Sequence, residues 1–194
     1  MNLFDADDLP EGFRYCADFI SVGDHRALAT AIDTEVAFST FEMRGVVARR
    51  RVAFFGASYN TGEVTRPIPD FLLPVRVQIA AWAGVGASAF AMALINEYPP
   101  GATIGWHRDA PQYGLIAGIS LLSPCRLKLR PYVSPAQVRQ SAASAGAKPR
   151  KTTHEITLAP RSAYLIDGLA RSHFEHSIPA TPALRYSITF RTLR

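Results

Sequence analysis

A short motif in the second half of the chain has the residue types of a metal site. His107 and Asp109 are separated by one residue, so in an extended chain their side chains project to the same side. An imidazole and a carboxylate could each give one ligand to a single ion, and His176 could supply the third. Two histidines and one carboxylate form the facial triad that binds Fe(II) and leaves positions open for substrates and dioxygen. The sequence therefore predicts an iron centre at these three residues.

Two arginines near the end of the chain could bind an anion beside such an ion. Arg185 and Arg191 lie six residues apart in the last segment that alternates like a strand. A planar guanidinium binds a carboxylate through paired hydrogen bonds, so this pair could hold a dicarboxylate cosubstrate. Taken alone, His107 could be a surface histidine and Arg191 part of a solvated strand. The ordered occurrence of all five residues favours a site for iron and a dicarboxylate.

The part of the chain that carries these residues is typical of a β protein. After residue 89, apolar or alternating runs are separated by turn residues, a pattern that predicts strands. Many short strands at this spacing favour a sandwich or a barrel. The predicted strands span 90–98, 116–122, 126–132, 155–158, 163–166 and 186–193.

The first half of the chain has a different character. Apolar residues at helical spacing predict a helix over 21–37, which Ser21 or Asp24 can cap, and a second helix from Pro74 to Gly84. Val, Arg and Phe over 44–55 predict paired strands with a basic face. We expect an α+β, mainly β fold.

Longer stretches around the motif residues resemble a known family. Residues 95–109, residues 176–179 (HSIP) and residues 185–191 (RYSITFR) resemble the AlkB family of Fe(II)/2-oxoglutarate dioxygenases. The resemblance covers about 92–130 and 155–193 and is faint before residue 90. It implies a double-stranded β-helix, a cupin-like jelly roll, as the dioxygenase core at 89–194. Residues 1–88 would form the N-terminal helices and a strand-containing substrate lid, within one compact catalytic domain.

The resemblance implies a role for the metal-site residues. His107, Asp109 and His176 would be the iron ligands and the catalytic centre. His173 could replace His176 as a ligand if the strand register were shifted. The His-Ser-Ile-Pro context and the spacing to Arg185 favour His176.

The resemblance also implies a binding site for 2-oxoglutarate. Arg185 and the Tyr98 hydroxyl would hold the distal carboxylate, while Asn96 and Arg191 would lie near the carboxylate that chelates iron. Ser187 stands where the terminal motif of the family commonly has asparagine.

The implied activity is oxidative demethylation of N-alkylated nucleobases in DNA or RNA. This reaction uses Fe(II), 2-oxoglutarate and O2 and releases formaldehyde, succinate and CO2. Family members that repair bases commonly carry an acidic residue just after the motif aspartate, whereas Ala110-Pro111-Gln112-Tyr113 follows here. The alternatives are an oxygenase for a protein or small molecule, and a noncatalytic binding module. The intact motif residues favour an oxidoreductase.

A flipped base would need aromatic side chains for stacking and cations for the phosphates. Phe54 and Phe55 alternate in a predicted strand, so at least one of them belongs to the core. The candidate substrate residues are Arg49, Arg50, Arg51, Phe55, Tyr59, Trp106 and Arg108.

Charge is distributed unevenly along the chain, whose net charge is +5. Residues 1–97 hold 8 basic and 12 acidic residues, and residues 98–194 hold 13 and 4. Arginine outnumbers lysine 18 to 3. This balance favours a polyanionic partner such as nucleic acid, or an anionic cosubstrate, over a basic surface without function. The basic segment 131–153 is either a tolerated linker or a flap over the site.

Composition excludes several other classes. With 48% hydrophobic residues over 194 positions, the chain can form one packed globular domain. It has no long apolar run for a membrane span, and its acidic start is unlike a leader peptide. Two cysteines without CxxC spacing indicate neither a disulfide framework nor a zinc site. We expect a cytoplasmic monomer.

Overall fold

The computed structural model describes residues 9–43, 45–57, 64–134, 136 and 152–194.

Helix α1 (Val22–Glu35) begins at Ser21, whose hydroxyl accepts a hydrogen bond from the Asp24 amide. Helix α2 (Leu73–Ala83) ends at Gly84, which has a φ of 78°. Both predicted helices are therefore confirmed. A short helix, α3 (Gly168–His173), was not predicted.

Twelve strands form within the described part of the chain. They are β1 (Phe13–Cys16), β2 (Ser39–Met43), β3 (Val46–Ala57), β4 (Val64–Arg66), β5 (Met92–Tyr98), β6 (Ile104–His107), β7 (Tyr113–Leu121), β8 (Cys125–Pro131), β9 (His154–Leu158), β10 (Ala163–Ile166), β11 (Phe174–Ile178) and β12 (Arg185–Leu193). All six strands predicted after residue 89 are present. Where paired strands were expected over 44–55, the structure has the single strand β3, and its hairpin partner β2 precedes that range. Strands β1, β2, β4, β6 and β11 were not predicted, and β6 and β11 carry the histidines of the motif.

The strands form two antiparallel sheets. The large sheet has the order β1-β10-β7-β12-β5-β3-β2, with β4 beside β3, and the small sheet has the order β6-β11-β8-β9. Apolar residues of both sheets share one buried cluster, in which Ile116 and Ile166 of the large sheet accompany Leu127 and Leu129 of the small one. Two sheets that pack in this way are a jelly roll, so the predicted fold class is confirmed.

The large sheet has two different faces. Its rear face, which carries Ile188 and Phe190 of β12, packs in a second cluster with Leu28 of α1 and Ile79 of α2. Its front face meets the small sheet and carries the alternate residues of the same strands. Both faces are buried, but among the described residues of the sheet the buried arginines, Arg185 and Arg191, lie on the front face.

The N-terminal region contributes directly to the large sheet, since β3 pairs with β5. The division into 1–88 and 89–194 stays a prediction. Within the segment 131–153, expected to be either a linker or a flap, residues 135 and 137–151 lie outside the described residues. In the ranges that the structure describes, no helix has the length and apolar character needed to cross a membrane.

Candidate metal centre and cosubstrate pocket

Two strands of the small sheet and the loop after one of them bring the predicted iron ligands together. In the antiparallel pair of β6 and β11, His107 lies opposite His176, and their ring centroids are 4.3 Å apart. Asp109 follows β6, with its Oδ1 3.6 Å from Nε2 of His107. Ligand atoms of all three residues lie within 4.8 Å of one another. Two imidazoles and one carboxylate at this spacing fit Fe(II).

A β-bulge orients the first histidine. Between the pairs His107↔His176 and Ile104↔Ile178, β6 has one residue more than β11. Ile104 packs into the cluster between the sheets, and the extra residue lets His107 reach the same inner side. Trp106 therefore points to the outer side, where the Arg130 guanidinium lies 4.0 Å from its ring.

Local interactions prepare both imidazoles for a metal. Nδ1 of His107 is 3.0 Å from the Gly105 carbonyl oxygen, so a proton on Nδ1 leaves Nε2 free as a ligand. Burial, helped by the charge of His107, lowers the pKa of His176 to about 4. At neutral pH, His176 is therefore an uncharged imidazole, and its unprotonated ring nitrogen can bind a metal ion.

Asp109 is held ionised by its neighbours. Burial alone would raise the pKa of this carboxyl, but the Arg191 guanidinium and both imidazoles lower it well below its usual range. Nε of Arg191 lies 3.4 Å from Oδ2 of Asp109. Arg191 thus leaves Oδ1 directed towards the histidines.

Arg171 holds the loop that carries Asp109. This buried arginine of α3 donates hydrogen bonds to the carbonyl oxygens of Asp109 (3.3 Å), Ala110 (2.6 Å), Tyr113 (2.9 Å) and Gly114 (3.2 Å). One guanidinium therefore links four carbonyls around the turn after β6. Nothing in the sequence singled out Arg171, because its partners lie about 60 residues away along the chain.

A second buried arginine marks a pocket for an anion. Arg185 is fully buried, its Nε donates to the Ser120 hydroxyl at 3.1 Å, and its guanidinium lies 5.0 Å from the Tyr98 ring centroid. Both Nη atoms are buried without a hydrogen-bond partner among the described residues. Unpaired buried donors are costly, and a carboxylate could accept from both. The distal carboxylate of 2-oxoglutarate fits this requirement.

Strand pairing places the other predicted cosubstrate residues on the same face. Ser187 lies opposite Asn96, and Arg185 lies opposite Tyr98, so all four side chains project from the front face with Arg191. Burial raises the pKa of Tyr98 to about 12, and its hydroxyl therefore stays protonated and can donate a hydrogen bond at neutral pH.

Sequence reasoning missed one aromatic residue of the front face. Tyr164 pairs with Gly118, and a Cβ on that glycine would collide with the tyrosine ring. Burial raises the pKa of the Tyr164 hydroxyl, and the charges of Arg185 and Asp109 also influence that pKa. A glycine inside a strand marks such a close approach and could have pointed to this residue.

The structure brings two of the predicted substrate residues to the site. Arg50 projects from the front face of β3, and its charge interacts with those of Asp109 and Arg191. Arg108 lines a small pocket beside the predicted ligands. The other residues of that pocket are Asp109, Ile116, Ile166, Ala170, Arg171, Phe174 and His176.

The remaining candidates lie elsewhere. Arg51 and Phe55 are on the rear face, where Nη2 of Arg51 binds Glu97 at 2.7 Å and Phe55 is buried among the helices. The prediction that Phe55 stacks on a base is thus wrong for a simple reason: it has the opposite parity from Phe54, which is 42% exposed. Trp106, on the outer side of the small sheet, also does not face the metal centre.

Three further residues complete the comparison with the predictions. Arg49 is exposed, and its guanidinium lies beside Gly101 rather than in the pocket. Tyr59 lies outside the described residues. His173 is exposed at the end of α3, and its Nδ1 contacts the Ser172 hydroxyl at 2.8 Å. The alternative His173 ligand therefore does not reach the cluster.

A jelly roll with a facial triad and an arginine-based anion pocket defines a nonhaem iron oxygenase. A family model described as the 2OG-Fe(II) oxygenase superfamily matches residues 12–191, and the chain belongs to this superfamily. It is thus an oxidoreductase, a dioxygenase whose cofactors are Fe(II), 2-oxoglutarate and O2, as the sequence predicts.

Similarity to individual proteins supports the same assignment. The chain is 25% identical over 193 residues to the alkylated DNA repair protein ALKBH8 homolog of Arabidopsis thaliana, spanning 92% of this chain and 54% of that relative. The chain thus spans about half the length of this curated relative. The AlkB-like character of the sequence is confirmed.

Solved structures share the fold. OsALKBH1 superposes with a TM-score of 0.64 at 10% identity, covering 95% of this chain and 99% of that one. A Pseudomonas putida prolyl-4-hydroxylase gives a TM-score of 0.61 at 13% identity over 94% and 93% of the two chains. A Trichoplax adhaerens prolyl hydroxylase gives 0.63 at 13% identity over 94% and 83%. At these identities the likeness concerns the fold alone.

Proposed function

We propose that this dioxygenase removes alkyl groups from nucleobases in DNA or RNA and so takes part in nucleic-acid repair or demethylation. The observation that carries the proposal is the similarity, over 92% of the chain, to an alkylated DNA repair protein. The basic second half of the sequence, with 13 basic and 4 acidic residues, supports a polyanionic substrate.

In this proposal His107, Asp109 and His176 hold Fe(II). Together with 2-oxoglutarate and O2, the iron supplies the oxidation of a substrate C–H bond to C–OH, and 2-oxoglutarate becomes succinate and CO2. An N-methyl group oxidised in this way leaves as formaldehyde and restores the base.

The protein's own groups bind and orient the cosubstrate. Arg185 donates hydrogen bonds from both Nη atoms to the distal carboxylate, and the protonated Tyr98 hydroxyl donates to it as well. Asn96, Ser187 and Arg191 line the path towards the metal centre. The apolar cluster between the sheets excludes water from this pocket, which strengthens each hydrogen bond to the anion.

Arg191 has two roles in the proposal. Its guanidinium keeps Asp109 ionised and orients the carboxylate, and it offsets negative charge at the cosubstrate end that approaches the metal. None of these roles requires a side chain that removes a proton from the substrate. In the proposal, the described residues of the site act as metal ligands and anion-binding groups.

The test is mass spectrometry of methylated DNA and RNA oligonucleotides after turnover with Fe(II), 2-oxoglutarate and O2, with succinate and formaldehyde measured in parallel. We expect one formaldehyde for each methyl group lost, and no methyl loss with Asp109→Ala. Methylated and proline-containing peptides serve as the comparison substrates. Oxidation of a peptide with every oligonucleotide unchanged would contradict the proposal.

The monomeric state and the cytoplasmic location stay predictions. Size-exclusion chromatography with light scattering tests the first of them, and a mass of about 21.2 kDa is expected for a monomer.

A further inference from the structure

A third arginine of the front face has an unused hydrogen-bond donor. The Arg50 guanidinium lies 4.0 Å from the Phe41 ring centroid, and its Nη1 is buried with no hydrogen-bond partner in the described ranges. Burial lowers the pKa of Arg50, but an arginine keeps its charge at any physiological pH. The donor is therefore cationic, and stacking on Phe41 restricts its orientation.

The register of β3 directs Arg50 towards the metal centre. Val52 pairs with Asn96, so Arg50, two residues earlier, projects from the same front face. Its charge interacts with those of Asp109 and Arg191, which indicates that the guanidinium lies near the proposed iron and cosubstrate sites. Arg50 has no assigned role as a metal ligand or as a 2-oxoglutarate-binding residue. The ion pair of Asp109 is formed with Arg191.

Among the described residues around the predicted metal ligands, arginines outnumber carboxylates. Arg108 and Arg171 line the pocket beside the predicted ligands, and the only carboxylate among its lining residues is Asp109. The turn after Asp109, Ala110-Pro111-Gln112-Tyr113, adds no acidic residue. The metal ion and the Arg191 guanidinium neutralise the negative charge of Asp109, so this carboxylate would attract a cationic substrate only weakly.

These charges discriminate between two kinds of alkylated base. Some, such as 3-methylcytosine, carry a positive charge at neutral pH, and the Arg50 guanidinium would repel them. Others, such as 3-methyluracil, are neutral and present a carbonyl oxygen where cytosine has an amino group. A carbonyl can accept a hydrogen bond from Nη1 of Arg50, whereas an amino group cannot.

We infer that this site selects neutral alkylated bases that present a carbonyl oxygen to Arg50, and that it discriminates against cationic ones. The inference rests on the proposed action on nucleobases and adds the class of base. Arg50 then acts as a specificity-determining residue that touches the base, and the buried donor gains the partner that it lacks in the protein alone.

The experiment compares two oligonucleotides of identical sequence, one with 3-methyluracil and one with 3-methylcytosine. We expect the wild type to demethylate 3-methyluracil with at least about tenfold higher kcat/KM, the factor that a hydrogen bond to a charged group supplies. Arg50→Met should remove most of this ratio, Arg50→Lys should retain part of it, and Arg50→Glu should invert it. Arg51→Met is the matched control, because its side chain lies on the rear face, and it should leave the ratio unchanged.

A binding measurement separates recognition from turnover. Fluorescence anisotropy of the two oligonucleotides with Mn(II)-loaded protein and 2-oxoglutarate under nitrogen should show the same preference and the same dependence on Arg50. The 2-oxoglutarate affinity of Arg50→Met should equal that of the wild type. If the variant instead weakens 2-oxoglutarate binding and keeps the ratio, Arg50 serves the cosubstrate and the inference is overturned.

Failure of the inference differs from failure of the proposed function. Demethylation of both oligonucleotides at equal rates, or faster demethylation of 3-methylcytosine, overturns the inference and leaves the nucleobase activity intact. Absence of both demethylation and binding, in protein that still converts 2-oxoglutarate to succinate, overturns the proposed function and the inference together.

Discussion

The two faces of the large sheet use the same strands for opposite purposes. On β12, Ile188 and Phe190 of the rear face are fully buried against apolar neighbours, as in an ordinary core. Arg185 and Arg191 of the front face are buried as well, yet Arg191 faces the Asp109 carboxylate, and both Nη atoms of Arg185 lack a hydrogen-bond partner among the described residues. Apolar burial stabilises the rear face, whereas unpaired buried charge destabilises the front face until an anion binds.

This difference teaches how a small domain can contain a polar site without losing its fold. The pleat of the strands separates the residues that stabilise from the residues that bind, although both kinds alternate along one strand. Substitutions on the two faces should consequently have different readouts: the rear face affects the free energy of unfolding, and the front face affects ligand affinity.

The largest effect is expected for Asp109→Ala beside the front face. Loss of one of three metal ligands should reduce turnover of 2-oxoglutarate by more than about 100-fold, beyond the cost of removing a residue that only orients a ligand. The measurement is the weak visible absorption of the anaerobic protein with Fe(II) and 2-oxoglutarate, which should disappear. The exposed Asp70→Ala serves as the control, and an absorption that persists in folded Asp109→Ala would refute the assignment of this ligand.

The next effect concerns the cosubstrate pocket. Arg185→Met should weaken 2-oxoglutarate binding by at least about 30-fold, because removing one partner of a buried charged pair costs at least about 2 kcal/mol. The same variant should unfold in the absence of ligand with an unchanged or higher free energy, since an unpaired buried cation is gone. Titration calorimetry and urea unfolding test the two parts. A large loss of stability without ligand would show that Arg185 belongs to the fold rather than to the pocket.

Two adjacent phenylalanines give the most direct test of the comparison. Phe55→Ala on the rear face should lower the free energy of unfolding by about 3 to 5 kcal/mol, because it leaves a cavity in the core. Phe54→Ala should cost less than about 1 kcal/mol, since that side chain is 42% exposed on the front face. Urea unfolding of both variants gives the two values. Equal losses would mean that the rear face does not contribute more than the front face to the free energy of unfolding.

The smallest effect is expected for Arg171→Lys. A lysine keeps the charge but cannot reach all four carbonyls, so the turn that carries Asp109 should loosen and Fe(II) affinity should fall about tenfold. Metal titration measures this change, with Arg126→Lys at an exposed ion pair as the control. Loss of stability in Arg171→Lys with full metal affinity would assign Arg171 a purely structural role.

The sequence predicted much of the site because its chemistry depends on residue types at short or ordered spacing. His107, Asp109 and the Arg185 to Arg191 pair lie within continuous motifs, and the helices follow from apolar periodicity and a cap at Ser21. The face of the sheet on which each strand residue lies was harder to predict, since a shift of one residue would exchange the buried position of Phe55 and the exposed position of Phe54. The bulge in β6 that turns Trp106 outward is likewise invisible in an alternation pattern.

Residues that act across long distances along the chain could not be predicted from local patterns. Arg171 supports the turn after Asp109 from a helix about 60 positions later, and Tyr164 fills the space that Gly118 leaves on a neighbouring strand. The glycine inside a predicted strand was the only local signal for either of them.

The sequence by itself determined the class of chemistry, because two histidines, an aspartate and two spaced arginines are ligands and anion partners wherever the chain brings them together. It also determined which segments become strands, through their alternation and their turns. Only the tertiary structure decided which side chains face the metal centre. The face that each strand residue occupies, the bulge in β6 and the strand order all depend on pairing with distant residues. That pairing leaves buried donor atoms of Arg185 and Arg50 without a partner among the described residues, and an anionic cosubstrate and a carbonyl-bearing base could accept hydrogen bonds from them.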